Sequence, residues 1–143
     1  MTPPKRLRSL LLRVRDSIPN EEFCGVGVVV TENLERLPIV SLCTDADFPA
    51  QQDLAEQIAE CSLYSRPCHD GFQIVSGQWQ LMQRNQYFAP FPAAECREFI
   101  GSVNVGSRYM AARLGSLIEG VVCTGLLSER GGILVFEGGL PVD

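Results

Sequence analysis

The stretch FCGVGVVVT, residues 23–31, sets four valines and a threonine among small residues. β-Branched side chains are stiff at χ1 and pack well on a pleated surface, so the run is predicted as a strand. LPIVSLC (37–43) is a second such run, and the polar ENLER between them reads as a turn or loop. The two are expected to pair with each other. Helical spacing lies on either side of them. Leu7, Leu10, Leu11, Val14 and Ile18 recur on one face, with Pro3 and Pro4 suited to a first turn, which predicts a helix over 4–18. PAQQDLAEQIAECSLY brings Leu54, Ile58, Cys61 and Leu63 near one face, with Asp53 and Glu56 early, where the macrodipole favours acids. That second helix is expected to end before Pro67.

From Phe72 the pattern returns to strands: FQIV, a turn at SGQ, WQLMQ, and QYFAPF as a third strand running out at its prolines, a meander. GSRYMAARLGSLI places Tyr109 or Met110, Arg113, Leu114 and Leu117 in a helical repeat that begins close to Gly106, with Ser107 as candidate N-cap. GVVCTGLL, SERGG and ILVFEGG close the pattern as a hairpin with glycines at its connection. Alternating helical and strand periods predict an α/β fold.

At 143 residues the chain has the size of one domain, and 45% hydrophobic with 20% charged residues is a folded composition. Residues 1–21 are expected to form a basic amphipathic helix packed on the domain, with 22–143 the domain itself. The six cysteines, at 24, 43, 61, 68, 96 and 123, contain no CxxC pair and sit mostly in apolar runs, so they are expected to be buried, reduced thiols rather than zinc ligands or a disulfide framework. SLLLRV is far too short to span a bilayer and no signal-peptide cleavage pattern follows it, which makes a soluble cytoplasmic protein the expectation. The net charge of −5 is uneven. Lys5, Arg6, Arg8, Arg13 and Arg15 stand against Asp16 in the first sixteen residues, and the remainder is strongly acidic. Such a body argues against general nucleic-acid binding, which needs phosphates neutralised over a broad surface.

Three short segments are candidates for chemistry. His69 and Asp70 sit where a helix has ended and a strand begins, a position at which α/β proteins often place functional groups, although Asp70-Gly71 also reads as an ordinary turn and a single histidine is more often structural. Ser107-Arg108 lies at a helix start, where free N–H groups and a guanidinium attract anions. Ser128-Glu129-Arg130 before two glycines reads as a turn first and a ligand loop second. Gly25-Val26-Gly27 is no dinucleotide fingerprint, because the third glycine and the following helix are absent.

Taken in order, RPCHDGFQIVSGQWQLMQRNQYFAPFP, GSRYMAARLG and VVCTGLLSERGGILVFEGG resemble the diadenylate cyclase domain family, the catalytic domain of bacterial DNA-integrity scanning proteins. The resemblance covers roughly residues 22–139 and rests on order and spacing. It implies a mixed, mainly antiparallel twisted sheet flanked by helices. Members of that family join two ATP molecules into cyclic di-AMP with release of pyrophosphate, using magnesium or manganese, at a site formed between two facing domains. Carried over, Asp70 binds the metal and helps activate a ribose 3′-hydroxyl, and Gly71 allows close backbone approach. Ser107 and Arg108 hold the triphosphate, with Ser128 and Glu129 near phosphates and metal, and His69, Phe72 and Arg130 complete the nucleotide set.

The chain departs from the family where Asp-Gly-Ala is Asp70-Gly71-Phe72 and where Arg-His-Arg is Arg108-Tyr109-Met110. Met110 replaces a phosphate-binding cation with a thioether. Arg113 lies about 140° further round a helix from Arg108 and is a poor replacement. The expectation is therefore a divergent domain that binds ATP or a related nucleotide, weakened in catalysis, acting as a sensor or regulatory subunit and forming a homo-oligomer. An active cyclase and a non-catalytic structural or interaction protein are the alternatives.

Overall fold

The computed structural model describes residues 1–18, 20–43, 53–63, 65, 68–92, 105–130 and 132–143. Three helices, α1 (Pro3–Asp16), α2 (Leu54–Cys61) and α3 (Ser107–Gly115), surround seven strands: β1 (Val26–Thr31), β2 (Ile39–Ser41), β3 (Phe72–Ser76), β4 (Leu81–Phe88), β5 (Val121–Leu127), β6 (Ile133–Glu137) and β7 (Leu140–Val142). The strands form one sheet in the order β2-β4-β3-β1-β5-β6-β7. Only β1 and β3 run parallel, and every other neighbouring pair is antiparallel.

The valine run becomes the central strand because both of its faces can be buried. All six residues of β1 are buried. Val26, Val28 and Val30 pack beneath Leu7, Leu10, Leu11 and Val14 of α1 and Ile58 of α2. On the opposite face Val29 joins Phe72, Ile74, Leu126, Phe136 and Ala112 of α3. Helices thus cover both sides of the sheet, and the period-2 alternation of a strand distributes the side chains between two cores.

The expected pairing of β1 with β2 does not occur. β2 pairs with β4 at the edge of the sheet, with Val40 63% exposed, while β1 takes β3 and β5 as neighbours. A three-residue, half-exposed strand offers too little apolar area to border the central one. The expected second and third strands of the meander are one continuous strand, β4. Asn85 takes a left-handed φ of 54° within it, and the register with β3 shifts there. The irregularity is held by a buried amide pair, in which Gln73 Nε2 donates to Asn85 Oδ1 (3.0 Å) and Asn85 N donates to Gln73 Oε1 (3.1 Å).

Helix α1 occupies 3–16 rather than 4–18, capped by Thr2, and Ile18 just beyond it is still buried. Much of its basic face is engaged within the fold. Arg6 lies over the Trp79 ring at 4.7 Å, Arg8 Nη2 donates to Val142 O (2.9 Å), and Arg13 pairs with Asp53 (2.6 Å), the N-cap of α2. Helix α2 ends at Cys61, and Pro67 lies outside the described residues. The N-cap of α3 is Gly106, not Ser107, and Leu117 falls beyond the helix end. The β5–β6 hairpin forms as expected, with β7 an added edge strand.

The cysteines depart most from expectation. Cys43 and Cys68 form a disulfide with a Cα separation of 6.2 Å. Cys61 and Cys123 are buried and outside any disulfide, Cys24 is half-buried, and Cys96 lies outside the described residues. Two residues 25 positions apart that meet across a sheet edge leave no spacing signal. No helix among the described residues is long and apolar enough to cross a membrane.

Candidate functional site

Three chain segments meet at the end of the sheet where β1 and β3 begin and β5 finishes. Before β3, Gly71 N donates to Cys68 O (3.2 Å), closing a tight turn that carries His69 and Asp70. Gly71 is required there by its neighbours: a Cβ on it would stand 2.6 Å from the Asn85 carbonyl carbon and 2.7 Å from Asn85 Cα. The backbone approaching this glycine is that of β4, at its irregularity.

From α3, Arg108 reaches across, and its Nη2 donates to the backbone carbonyl of Asp70 (3.0 Å). The carboxylate of Asp70 is left for other use, and Asp70 is exposed. Gly25, at φ +90°, lies under the same guanidinium, since a Cβ there would meet Arg108 Nη1 at 2.8 Å and Leu127 O at 3.2 Å. Arg108 is therefore seated on bare backbone, fixed on one side by the Asp70 carbonyl and on the other by the glycine before β1.

The guanidinium separates two clefts. One, of 730 Å³, is bounded by Asp70, Gly71, Phe72, Ser107 and Met110, with aromatic and proline walls from Tyr87, Phe88 and Pro90. The other, of 500 Å³, is bounded by Tyr109, Leu126, Ser128, Glu129, Ile133 and Leu134, with Cys24 at its base. Arg108 lines both. These are the dimensions and mostly apolar walls of small-molecule sites, with a few polar groups at fixed places.

Cys24 registers the local field. Burial raises its thiol above the ordinary range, Arg108 opposes that shift, and the Asp70 and Glu129 carboxylates add to it. One cation and two carboxylates from three distant segments thus act on a single point. The thiol itself donates to Ser62 O (2.9 Å) and lies 3.7 Å from His69 O, beneath the Asp70 turn.

The remaining candidates divide. Ser128 closes the β5–β6 turn, its N donating to Gly132 O (2.9 Å) and its hydroxyl accepting from Gly132 N (3.0 Å), which leaves the O–H free to donate into the cleft. Arg130 is exposed in that turn and lines neither cleft, and Gly131 lies outside the described residues. Arg113 is engaged elsewhere, its Nε donating to Gly139 O (2.9 Å). Phe72 is 5% exposed and meets Phe88 in a tilted pair with centroids 5.2 Å apart, its ring lying over Gly27, where a Cβ would strike it. The phenylalanine thus fills core space that a glycine leaves open, and only part of it borders the cleft.

Among the described residues, no three His, Cys, Asp or Glu side chains gather as a metal cluster. Magnesium is commonly held by one or two carboxylates with substrate phosphates completing the shell. Asp70 lines the larger cleft and Glu129 the smaller one, each sharing its cleft with Arg108. Sequence reasoning missed Gly25, Cys24 and the β4 walls. The glycine was visible in the GVG triplet, but its neighbour 83 positions away in the chain was not. No model of a known protein family matches the chain, and no curated protein matches it.

Proposed function

We propose that this chain is a divergent diadenylate cyclase-like domain that binds ATP or a related nucleotide and acts as a sensor or regulatory subunit. One observation carries the reading: Arg108 is joined to the Asp70 turn at the junction of two clefts, with Ser128 and Glu129 on its other side. These are the three segments on which the family resemblance rests. In this reading Arg108 and the Ser107 hydroxyl bind phosphate oxygens, and the Ser128 hydroxyl donates to them. The aromatic walls exclude water from the base. The Asp70 carboxylate would hold a magnesium or manganese ion carried on the nucleotide, which would supply neutralisation of phosphate charge.

Weak or absent turnover follows from the charge available. Met110 borders the cleft where the family has a second arginine, Arg113 is held by Gly139, and Arg130 stands outside both clefts. Arg108, the one arginine among the described residues that line the two clefts, stabilises one developing phosphate charge where the family uses more. A homo-oligomer that places Asp70 of one chain opposite Arg108 of another belongs to the same reading.

Titration of the full chain with ATP, with and without manganese, tests it. Binding that strengthens with manganese and falls tenfold or more in Arg108→Ala, with no pyrophosphate released, is the expected result. Release of pyrophosphate and cyclic di-AMP, abolished in Asp70→Asn, would make the chain an active cyclase instead. No binding at millimolar ATP would leave only a structural or interaction role.

A further inference from the structure

The Asp70 turn is tied at three points. Arg108 holds its carbonyl from α3, Cys24 lies beneath His69 O, and the Cys43–Cys68 disulfide joins its first residue to the chain leaving β2. The third tie differs from the others because it is covalent and reversible. It also adjoins the larger cleft, since Leu42, next to Cys43, and Asp70, two residues after Cys68, both line that cavity. Leu42 is itself fixed to the sheet, its N donating to Asn85 O (3.1 Å). The bond therefore links a wall anchored on β4 to the turn bearing the carboxylate, and Cys68 is held at a left-handed φ of 60°.

We propose that the Cys43–Cys68 disulfide is a redox control on ligand binding in this cleft: oxidised, it holds the Asp70 turn in its binding position, and reduced, it releases the turn and lowers affinity. The ligand in this statement rests on the nucleotide reading above. The chemistry is thiol–disulfide exchange with a dithiol reductant. A thiolate of the dithiol attacks one sulfur, the S–S bond breaks, and the displaced cysteine leaves as a thiolate that takes a proton. The second thiol of the reductant then attacks the mixed disulfide, so the protein gains two electrons and two protons while the reductant becomes its own disulfide. Cys24 takes no part in this exchange, its thiol donating to Ser62 O (2.9 Å).

Release weakens binding through ordering. A turn held before the ligand arrives has already lost its freedom, whereas a loosened one must lose it on binding. Immobilising even two residues is enough for a tenfold difference in affinity.

The experiment uses the full chain, oxidised and after treatment with dithiothreitol. Thiol titration of denatured samples is expected to find two fewer thiols in the oxidised form. Hydrogen exchange in a peptide covering residues 68–72 is expected to rise on reduction, and the ATP–manganese dissociation constant to rise tenfold or more. The Cys43→Ser/Cys68→Ser double variant should match the reduced protein under both conditions. Equal thiol counts, or exchange in 68–72 that is the same in both forms, would overturn the proposal, as would ATP affinities within twofold of each other. If exchange responds to reduction but neither form binds ATP, the nucleotide reading fails and nucleotide control with it, while the tether stands as a property of the turn.

Discussion

Arg108 is seated on the backbone of two other segments, and that seat decides what substitutions around it do. What fixes it, the Asp70 carbonyl and the bare backbone of Gly25, involves residues 38 and 83 positions away. No local pattern records such distances. Gly25→Ala is expected to lower stability by about 1–3 kcal/mol, from a strained φ and an overpacked contact, and to weaken ATP binding by shifting the guanidinium. Thermal denaturation and titration separate the two effects. Gly71→Ala, facing unyielding backbone on β4, should destabilise by a similar amount, read as a lowered melting temperature. Cys123 supplies a pH prediction. Its thiol is fully buried and pushed up to about 12. The unfolded thiol ionises near pH 9 while the folded one keeps its proton, so above that pH the unfolded state binds fewer protons and stability falls as pH rises. From this group a decline of up to about 1.4 kcal/mol per pH unit between pH 9 and 12 is expected in denaturant titrations, and in Cys123→Ala it shrinks to what the raised Cys24 thiol still contributes.

At the scale of elements, the helices were read almost to their ends because their apolar residues repeat within a few positions. The runs of β1 and β2 were recognised as strands but assigned to each other, whereas the β5–β6 hairpin and the β3–β4 neighbours pair as expected. Adjacent runs do pair often, yet β1 needs burial on both faces and β2 can supply almost none. The division of β4 into two expected strands came from the polar Gln83, Arg84 and Asn85, which interrupt the apolar pattern; Gln73 supplies the missing partner from the next strand. Phe72→Ala removes a ring packed over Gly27 and against Phe88, and is expected to cost about 3–5 kcal/mol in chemical denaturation. The Cys43–Cys68 bond closes a loop with a separation of 25 residues, and reduction is expected to lower stability by about 3 kcal/mol in the same measurement. Loss of the exposed Arg13–Asp53 pair should change it by less than about 1 kcal/mol.

The whole molecule is a sheet with helices on both faces, and that much followed from alternating periods in the sequence. Its edges and its site did not, since both depend on strand order. In a sheet covered on both sides the two faces of the central strand are equally intolerant of charge. Val28→Asp and Val29→Asp, on opposite faces, are each expected to abolish cooperative unfolding followed by Trp79 fluorescence. A protein with one solvated face would tolerate one of them.

The polar groups gathered around Arg108 come from before β1, from before β3, from the start of α3 and from after β5, so the last of them is synthesised more than a hundred residues after the first. No early fragment can capture ligand, and a bound small molecule reports a finished tertiary structure. Saturating ligand would then act as a pharmacological chaperone: at a hundredfold excess over its dissociation constant it adds about 2.7 kcal/mol to the native state and nothing to any partly built one.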